Sequence, residues 1–215
     1  MDEYPMKAGF FRICGDNLLT LMGLNLLSLL LCLPVITIPA SMAALSRACQ
    51  DMLLGEGRLF HAFFRSFRRN LWAAVPVGVA SIGITVGLLY GCAFYSRMVR
   101  ETELWLVCAI FCFVGVYVAF CVGAIGFQIT ARVELPVAAV LWDALLLLLH
   151  NPRLLFTWLL LAFLFPAVTI WFFPRSFPVL LLLPCALSCL AAARGVVGII
   201  LDQLVSGESE DQSVQ

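Results

Sequence analysis

The chain has 215 residues, of which 63% are hydrophobic and 12% are charged, and its mean hydropathy is +1.03. A soluble domain carries about 25% charged residues because its surface must face water, so this composition excludes an ordinary soluble globule. The 13 basic and 13 acidic residues cancel, and the net charge therefore indicates neither a nucleic-acid partner nor an acidic one.

Five segments are long and apolar enough to cross a bilayer, whose core of about 30 Å requires about 20 apolar residues in a helix. We predict these spans at Leu18–Ile38, Leu71–Tyr95, Leu104–Phe127, Leu154–Phe173 and Phe177–Leu201. Ala40–Leu54 is a shorter sixth candidate, in which Pro39 suits the first helical turn and Gly55 the helix end. The predicted fold class is therefore all-α, a polytopic transmembrane helical bundle with about six crossings.

The basic residues predict the orientation, because Lys and Arg stay on the cytoplasmic side of a membrane. Lys7 and Arg12 precede the first span, and Arg58–Arg69 follows the short one. Both groups are inside only if Ala40–Leu54 crosses, so we predict six crossings in a bacterial inner membrane with both termini cytoplasmic. The alternative is five crossings with the N-terminus outside.

The domain organisation follows from the spans. We predict a single transmembrane helical domain over residues 1–206 and an acidic, disordered tail over residues 207–215. Two further helices are predicted between the spans, at residues 58–70 and 137–149. The second is apolar apart from Asp143, and lipid contact by a carboxylate costs several kcal/mol, so we predict that this helix is buried or re-entrant.

Segment 58–70 is amphipathic, because at 100° per residue its basic and aromatic side chains fall on opposite faces. This pattern predicts a helix at the membrane surface, with aromatic side chains in the acyl boundary and arginines facing anionic headgroups or a partner protein. The residues of this predicted interface are Arg58, His61, Arg65, Arg68, Arg69, Phe60, Phe63, Phe64 and Phe67.

Small residues recur every four positions in two neighbouring spans, a spacing that lets helix backbones approach closely. We expect these two helices to pack against each other, and a homodimer seam is the alternative. The residues concerned are Gly83, Gly87, Gly91, Gly115, Ala119 and Gly123.

Several ionisable residues lie near the predicted cytoplasmic ends of the spans. An intramembrane charge indicates a functional site by default, but paired charges can also fix the register of neighbouring helices. Both interpretations, a structural polar network and a substrate or proton site, stay open. The predicted cluster consists of Arg47, Asp51, Arg132, Glu134, Asp143, His150 and Arg194.

Catalytic and metal-binding motifs are missing from the sequence. It contains no H-E-x-x-H, G-x-S-x-G, phosphate-binding loop or dinucleotide fingerprint. The chain has nine cysteines and two histidines, and most of these cysteines lie in apolar runs, where they act as small packing residues. We therefore predict no enzymatic activity, no metal site and no cofactor.

Several runs resemble the YesL-like family of small bacterial membrane proteins. The resemblance is specific over Leu24–Leu27, Cys32–Ala40, Gly55–Gly57 and Phe63–Asn70, and looser at Ala131–Glu134 and Leu149–Pro152. Ile38 departs from the pattern, since the family commonly has Gly at that position. The family lacks an established activity, and its members are often encoded beside sugar-type ABC importer genes.

The resemblance implies an accessory of carbohydrate uptake, and the sequence lacks the Glu-Ala-Ala loop of the importer permeases. We therefore predict a non-enzymatic accessory or scaffold of a membrane complex such as a carbohydrate ABC uptake system. Its expected partners are a bilayer with anionic headgroups and ABC transporter components, and not nucleic acid. The alternative is a small solute transporter, with a polar site at Arg47, Asp51, Arg132 and Asp143.

Overall fold

The computed structural model describes residues 10–72, 74–98, 104–133, 135–150, 152–171 and 183–213, and within these ranges the protein is all-α, as predicted. Its α-helices are α1 Phe10–Asp16, α2 Leu18–Leu31, α3 Ile38–Leu53, α4 Leu59–Asn70, α5 Ala74–Met98, α6 Leu104–Thr130, α7 Val137–His150, α8 Pro152–Trp171 and α9 Pro184–Ser213. A 3-10 turn at Val35–Thr37 precedes α3.

Helices α5 and α6 form a long antiparallel pair. Tyr95 and Trp105 stack at one end, with ring centroids 5.6 Å apart, and Val77 lies beside Gly126 near the other. By length and composition, α5 and Trp105–Thr130 of α6 can each cross a membrane. Together with the shorter apolar helices, they indicate a multi-pass membrane protein.

The first predicted span, Leu18–Ile38, is not one helix. Helix α2 ends at Leu31, and the chain turns before α3 begins at Ile38. Pro34 explains the break, because proline has no backbone N–H to donate and its ring disfavours a helical conformation at Leu33. The 14 residues of α2 cover about 21 Å. Helices α1 and α2 meet at an angle of 80°. Only the two taken together are long and apolar enough to be a third candidate span.

Helix α3 is the buried centre of the fold. The sequence predicts a helix here, but nearly all of its residues are enclosed by protein, with α2, α4, α5, α6 and α9 packed around it. Its small side chains allow close approach, and a Cβ atom on Gly78 of α5 would overlap the ring of Pro39. The helix ends at Leu53, and Gly55, two residues later, has a positive φ of 79° that suits a glycine stop.

The remaining predicted spans differ from the observed helices at their ends. Helix α8 covers most of Leu154–Phe173, whereas α9 begins only at Pro184, and residues 172–182 lie outside the described residues. The apolar stretches of α7, α8 and α9 are shorter than a full span. Helix α9 continues to Ser213, into residues assigned from the sequence to a disordered tail, and no proline after Pro184 interrupts it.

Helix α7 packs through Val140 and Ala144, which are fully buried. Asp143 led us to predict a buried or re-entrant helix, and in the fold the Asp143 side chain is exposed, as is His150 on the same face. The aspartate lies at the flank of the packed face, because it is one position from Ala144 and residues one apart on a helix point in different directions.

The α5–α6 contact uses only part of the predicted small-residue pattern. A Cβ atom on Gly115 would lie 3.3 Å from Leu88, and one on Gly123 would lie 3.2 Å from Ser81. At Gly83 and Gly87 a Cβ atom would meet nothing within 4 Å. A repeat of four residues drifts around a helix of 3.6 residues per turn, so the stripe cannot remain on one contact line.

Candidate functional site

The C-terminal half of α3 brings a buried carboxylate between two arginines. The side chain of Asp51 is only 2% exposed, and its Oδ1 lies 3.0 Å from Arg47 Nε and 3.0 Å from Arg132 Nη2. Arg47 shares the α3 face with Asp51 because the two are four residues apart, whereas Arg132 comes from the turn that follows α6. Buried charge is tolerated when it is paired and hydrogen-bonded.

Two glutamines extend this ion pair into a polar chain across three helices. Gln50 Oε1 accepts a hydrogen bond from Arg132 Nε at 2.7 Å, and Gln50 Nε2 donates to Gln128 Oε1 at 2.7 Å. Gln128 Nε2 then donates to the carbonyl oxygen of Cys189 at 3.2 Å. We call the side chains Arg47, Gln50, Asp51, Gln128 and Arg132 the polar network. It fixes α3 against α6 and α9.

The predicted charge cluster is therefore only partly assembled. Arg47, Asp51 and Arg132 meet, whereas Asp143 is on the exposed face of α7. His150 is exposed on the same face, and Glu134 lies outside the described residues. Arg194 is held elsewhere, 5.3 Å from the centre of the Trp158 ring, in a cation–π contact. The predicted cluster contained only ionisable residues and therefore missed Gln50 and Gln128. Both are polar amides near the end of a largely apolar helix, and that position could have identified them.

Arg132 is the arginine that the turn after α6 contributes to the polar network. Burial lowers its pKa, as does the neighbouring charge of Arg47, while Asp51 and Glu56 oppose the shift. The guanidinium nevertheless remains protonated near neutral pH, because the ordinary pKa of arginine lies far above neutrality. The two arginines thus leave one positive charge in excess over Asp51.

Helix α4 folds back along α3 and presents the predicted basic face to solvent. Its aromatic side differs from the prediction of lipid contact: Phe63 is fully buried and Phe67 packs against the core. Phe60 and Phe64 remain 45% and 47% exposed. The apolar side faces protein because the short turn at Gly55 returns the chain directly onto α3. The exposed basic residues are Arg58, His61, Arg65, Arg68 and Arg69.

A cleft of about 460 Å³ opens between the end of α3, the turn that follows it and α4. Arg69 Nη2 donates to the carbonyl oxygen of Ala131 at 3.2 Å, which brings the end of α6 to its edge. We call this the basic cleft. Its charged and titratable lining residues are Arg47, Asp51, Glu56, Arg58, His61, Arg65 and Arg69.

An apolar pocket of about 290 Å³ lies between α3, α5, α6, α8 and α9. Met42 and Phe120 contribute to its lining, and Gln128 of the polar network also reaches it. Ser81 lines the same pocket, and its buried Oγ has no hydrogen-bond partner among the described residues. The polar network thus connects the basic cleft, lined by Asp51, with the apolar pocket.

The described part of the chain gathers no group of three or more His, Cys, Asp or Glu side chains that could hold a metal ion. The cysteines in these ranges are unpaired, and several of them, such as Cys49 and Cys121, are buried in the core. The titratable and amide side chains of the site are therefore arginines, His61, two glutamines and the carboxylates of Asp51 and Glu56.

Comparison with known families places part of this site in a recognised sequence segment. Residues 21–92 match the DUF624 family model, described as a protein of unknown function. The DUF624 segment contains Arg47, Asp51 and the whole of α4, whereas Gln128 and Arg132 lie beyond it. No curated protein matches the chain, and no solved structure matches it. No named relative therefore supports the resemblance to the YesL-like family.

Proposed function

We propose that the protein is a non-enzymatic membrane accessory that docks a partner protein on the basic face of α4. The observation that carries this proposal is a row of exposed arginines on a helix that is anchored in the core. Among the described residues, Arg65 and Arg68 of α4 have no ion-pair partner. Arginine presents a planar fork of donors that suits carboxylates, so an acidic protein surface fits this face.

The helix that carries the arginines is anchored in the fold, which favours docking. The opposite side of α4 is anchored by Phe63, Ser66 and Asn70, which are all buried. Asn70 Nδ2 also donates to Ser66 Oγ at 3.1 Å. A surface that is already ordered loses less conformational entropy on binding, so the affinity does not have to offset the folding of a loop.

The cellular setting is proposed from charge and resemblance. Arginines close to apolar spans favour the cytoplasmic side, so we place the basic face of α4 in the cytoplasm of a bacterial cell, at the inner membrane. The YesL-like runs suggest a carbohydrate ABC uptake system as the complex, and its permease or ATPase subunits as the partners.

Co-purification of charge variants tests the docking proposal. The tagged protein, expressed at native level in its own host, is crosslinked briefly and purified in mild detergent, and its partners are identified by mass spectrometry. We expect wild type to recover importer subunits stoichiometrically. Arg68→Glu should reduce that recovery several-fold, because a like charge facing an acidic partner costs several kcal/mol.

Arg97→Glu is the matched control, because Arg97 is also exposed but lies near the far end of α5, and it should recover partners as wild type does. Undiminished recovery by an Arg65→Glu, Arg68→Glu double variant would remove α4 as the docking surface. Recovery of the protein alone from wild-type cells would reject the accessory function.

A small solute transporter is the second candidate, and one observation favours it. The polar network links the basic cleft to the apolar pocket through Gln50 and Gln128, which is the kind of internal polar path that solute movement requires. Uptake by liposomes that contain only the purified protein would support transport. An accessory should be inert in that assay and should require its partner.

A further inference from the structure

We propose that the basic cleft binds an anionic phosphate group. This inference is separate from partner docking on the outer side of α4, because it concerns a cavity and a small ligand. Arg47, Arg58, Arg65 and Arg69 bring four positive charges to the lining, against the two negative charges of Asp51 and Glu56.

The two carboxylates do not compensate these arginines equally. Asp51 is already occupied by Arg47 and by Arg132, at 3.0 Å each. Glu56 is therefore the one remaining lining carboxylate, while Arg58 and Arg65 have no ion-pair partner among the described residues. The excess positive charge can be compensated by a ligand that carries negative charge.

Phosphate fits this lining better than a single carboxylate or a metal ion. The two arginines without an ion-pair partner among the described residues are carried by different elements, since Arg58 is in the turn after α3 and Arg65 is on α4. A phosphate offers several acceptor oxygens, and each can take donors from a separate guanidinium. A metal cation is repelled by the same charges, and a carboxylate has only two oxygens to share.

The volume and position of the cleft indicate which phosphate compounds could bind there. About 460 Å³ exceeds what one phosphate group occupies, so the cleft has room for a substituent. It lies beside Ala131, where candidate span α6 has just ended. A lipid headgroup at that depth and a soluble phosphate ester both carry the required chemistry.

Ligand-induced stabilisation of the purified full chain in neutral detergent tests the proposal. The probes are phosphatidylglycerol, phosphatidylcholine, glycerol 3-phosphate and succinate, and the measured quantity is the rise in apparent Tm with probe concentration. We expect phosphatidylglycerol or glycerol 3-phosphate to stabilise the protein at concentrations where succinate and phosphatidylcholine do not. Stabilisation by the lipid alone identifies a headgroup site, and stabilisation by both indicates a site for phosphate esters in general.

Variants connect that effect to the cleft. Arg58→Gln with Arg65→Gln should weaken the apparent affinity about tenfold or more, whereas Arg68→Gln, outside the lining, should leave it unchanged. The variants replace exposed side chains, and size-exclusion chromatography checks their folding. Equal response of wild type to succinate and to the phosphate probes would overturn the proposal without any variant. So would wild-type affinity in the folded double variant, or no response to either phosphate probe.

The two proposals fail in different ways. Arg68→Glu should lose the protein partner and keep the phosphate, whereas Arg58→Gln, in the turn before α4, should bind the phosphate more weakly and keep the partner. Loss of both functions in both variants would contradict their separation.

Discussion

The contact between Gly78 and Pro39 gives a sharp prediction, because it depends on a single missing methyl group. In Gly78→Ala the new Cβ would overlap Cβ and Cγ of the Pro39 ring. A proline ring has no rotamer that moves it aside, so one of the two helices must shift. Overpacking of this kind costs about 1–3 kcal/mol, and the rigid neighbour favours the upper end.

Helix propensity partly offsets this cost. Alanine is favoured over glycine inside a helix by about 1 kcal/mol, so we expect a net destabilisation of about 2 kcal/mol for Gly78→Ala. Gly83→Ala is the control on the same helix, because its Cβ would meet nothing within 4 Å. It should be stabilised by up to about 1 kcal/mol, which separates the two variants by about 3 kcal/mol.

Reversible unfolding in mixed micelles, titrated with an anionic detergent, measures both variants. Labelling of the buried Cys49 by a thiol-reactive dye reports the unfolded fraction, because this side chain is 0% exposed in the fold. If Gly78→Ala proved as stable as Gly83→Ala, the close approach of α5 to the start of α3 would be refuted.

Two further substitutions test the polar contacts of the core. Asp51→Asn should lower the free energy of unfolding by about 2 kcal/mol, because hydrogen bonds to charged groups contribute about 1.5–3 kcal/mol. The loss is not larger because Arg47 and Arg132 are partly exposed and can bind water instead. If Asp51→Asn lost no more stability than Arg47→Gln, the pairing of Asp51 with both arginines would be contradicted. Asn25→Leu should cost about 1–3 kcal/mol in the same unfolding assay, since Asn25 Oδ1 accepts from the Ala186 N–H at 3.0 Å; a neutral result would show that this amide is satisfied elsewhere.

The helices that the sequence predicts best are those for which run length or face pattern decides the outcome. Helices α5 and α6 match their predicted spans closely, and α4 matches its amphipathic segment. The break after Leu31 was missed because residues Leu33–Ile38 are as apolar as a span. Composition alone therefore could not separate a continuous helix from a turn at Pro34.

The structure brings together Arg47, Asp51 and Arg132 of the predicted cluster, but the sequence supports their contacts unequally. Arg47 and Asp51 are one helical turn apart, so their pairing follows from local geometry. Arg132 reaches Asp51 because the turn after α6 lies beside α3. This contact depends on the tertiary fold, and local helix geometry does not predict it. Asp143 stays apart from the other three because it lies on the exposed face of α7, and the sequence does not indicate which face of α7 the other helices cover.

The burial of α3 has a consequence for biosynthesis. This helix combines Arg47 and Asp51 with serines and Gln50, and a charged residue in an isolated membrane helix costs about 2.5–3.5 kcal/mol on insertion. Its compensating partners, Gln128, Arg132 and the start of α9, are translated much later. The segment that becomes the centre of the protein therefore lacks part of its polar contacts until α9 has been made.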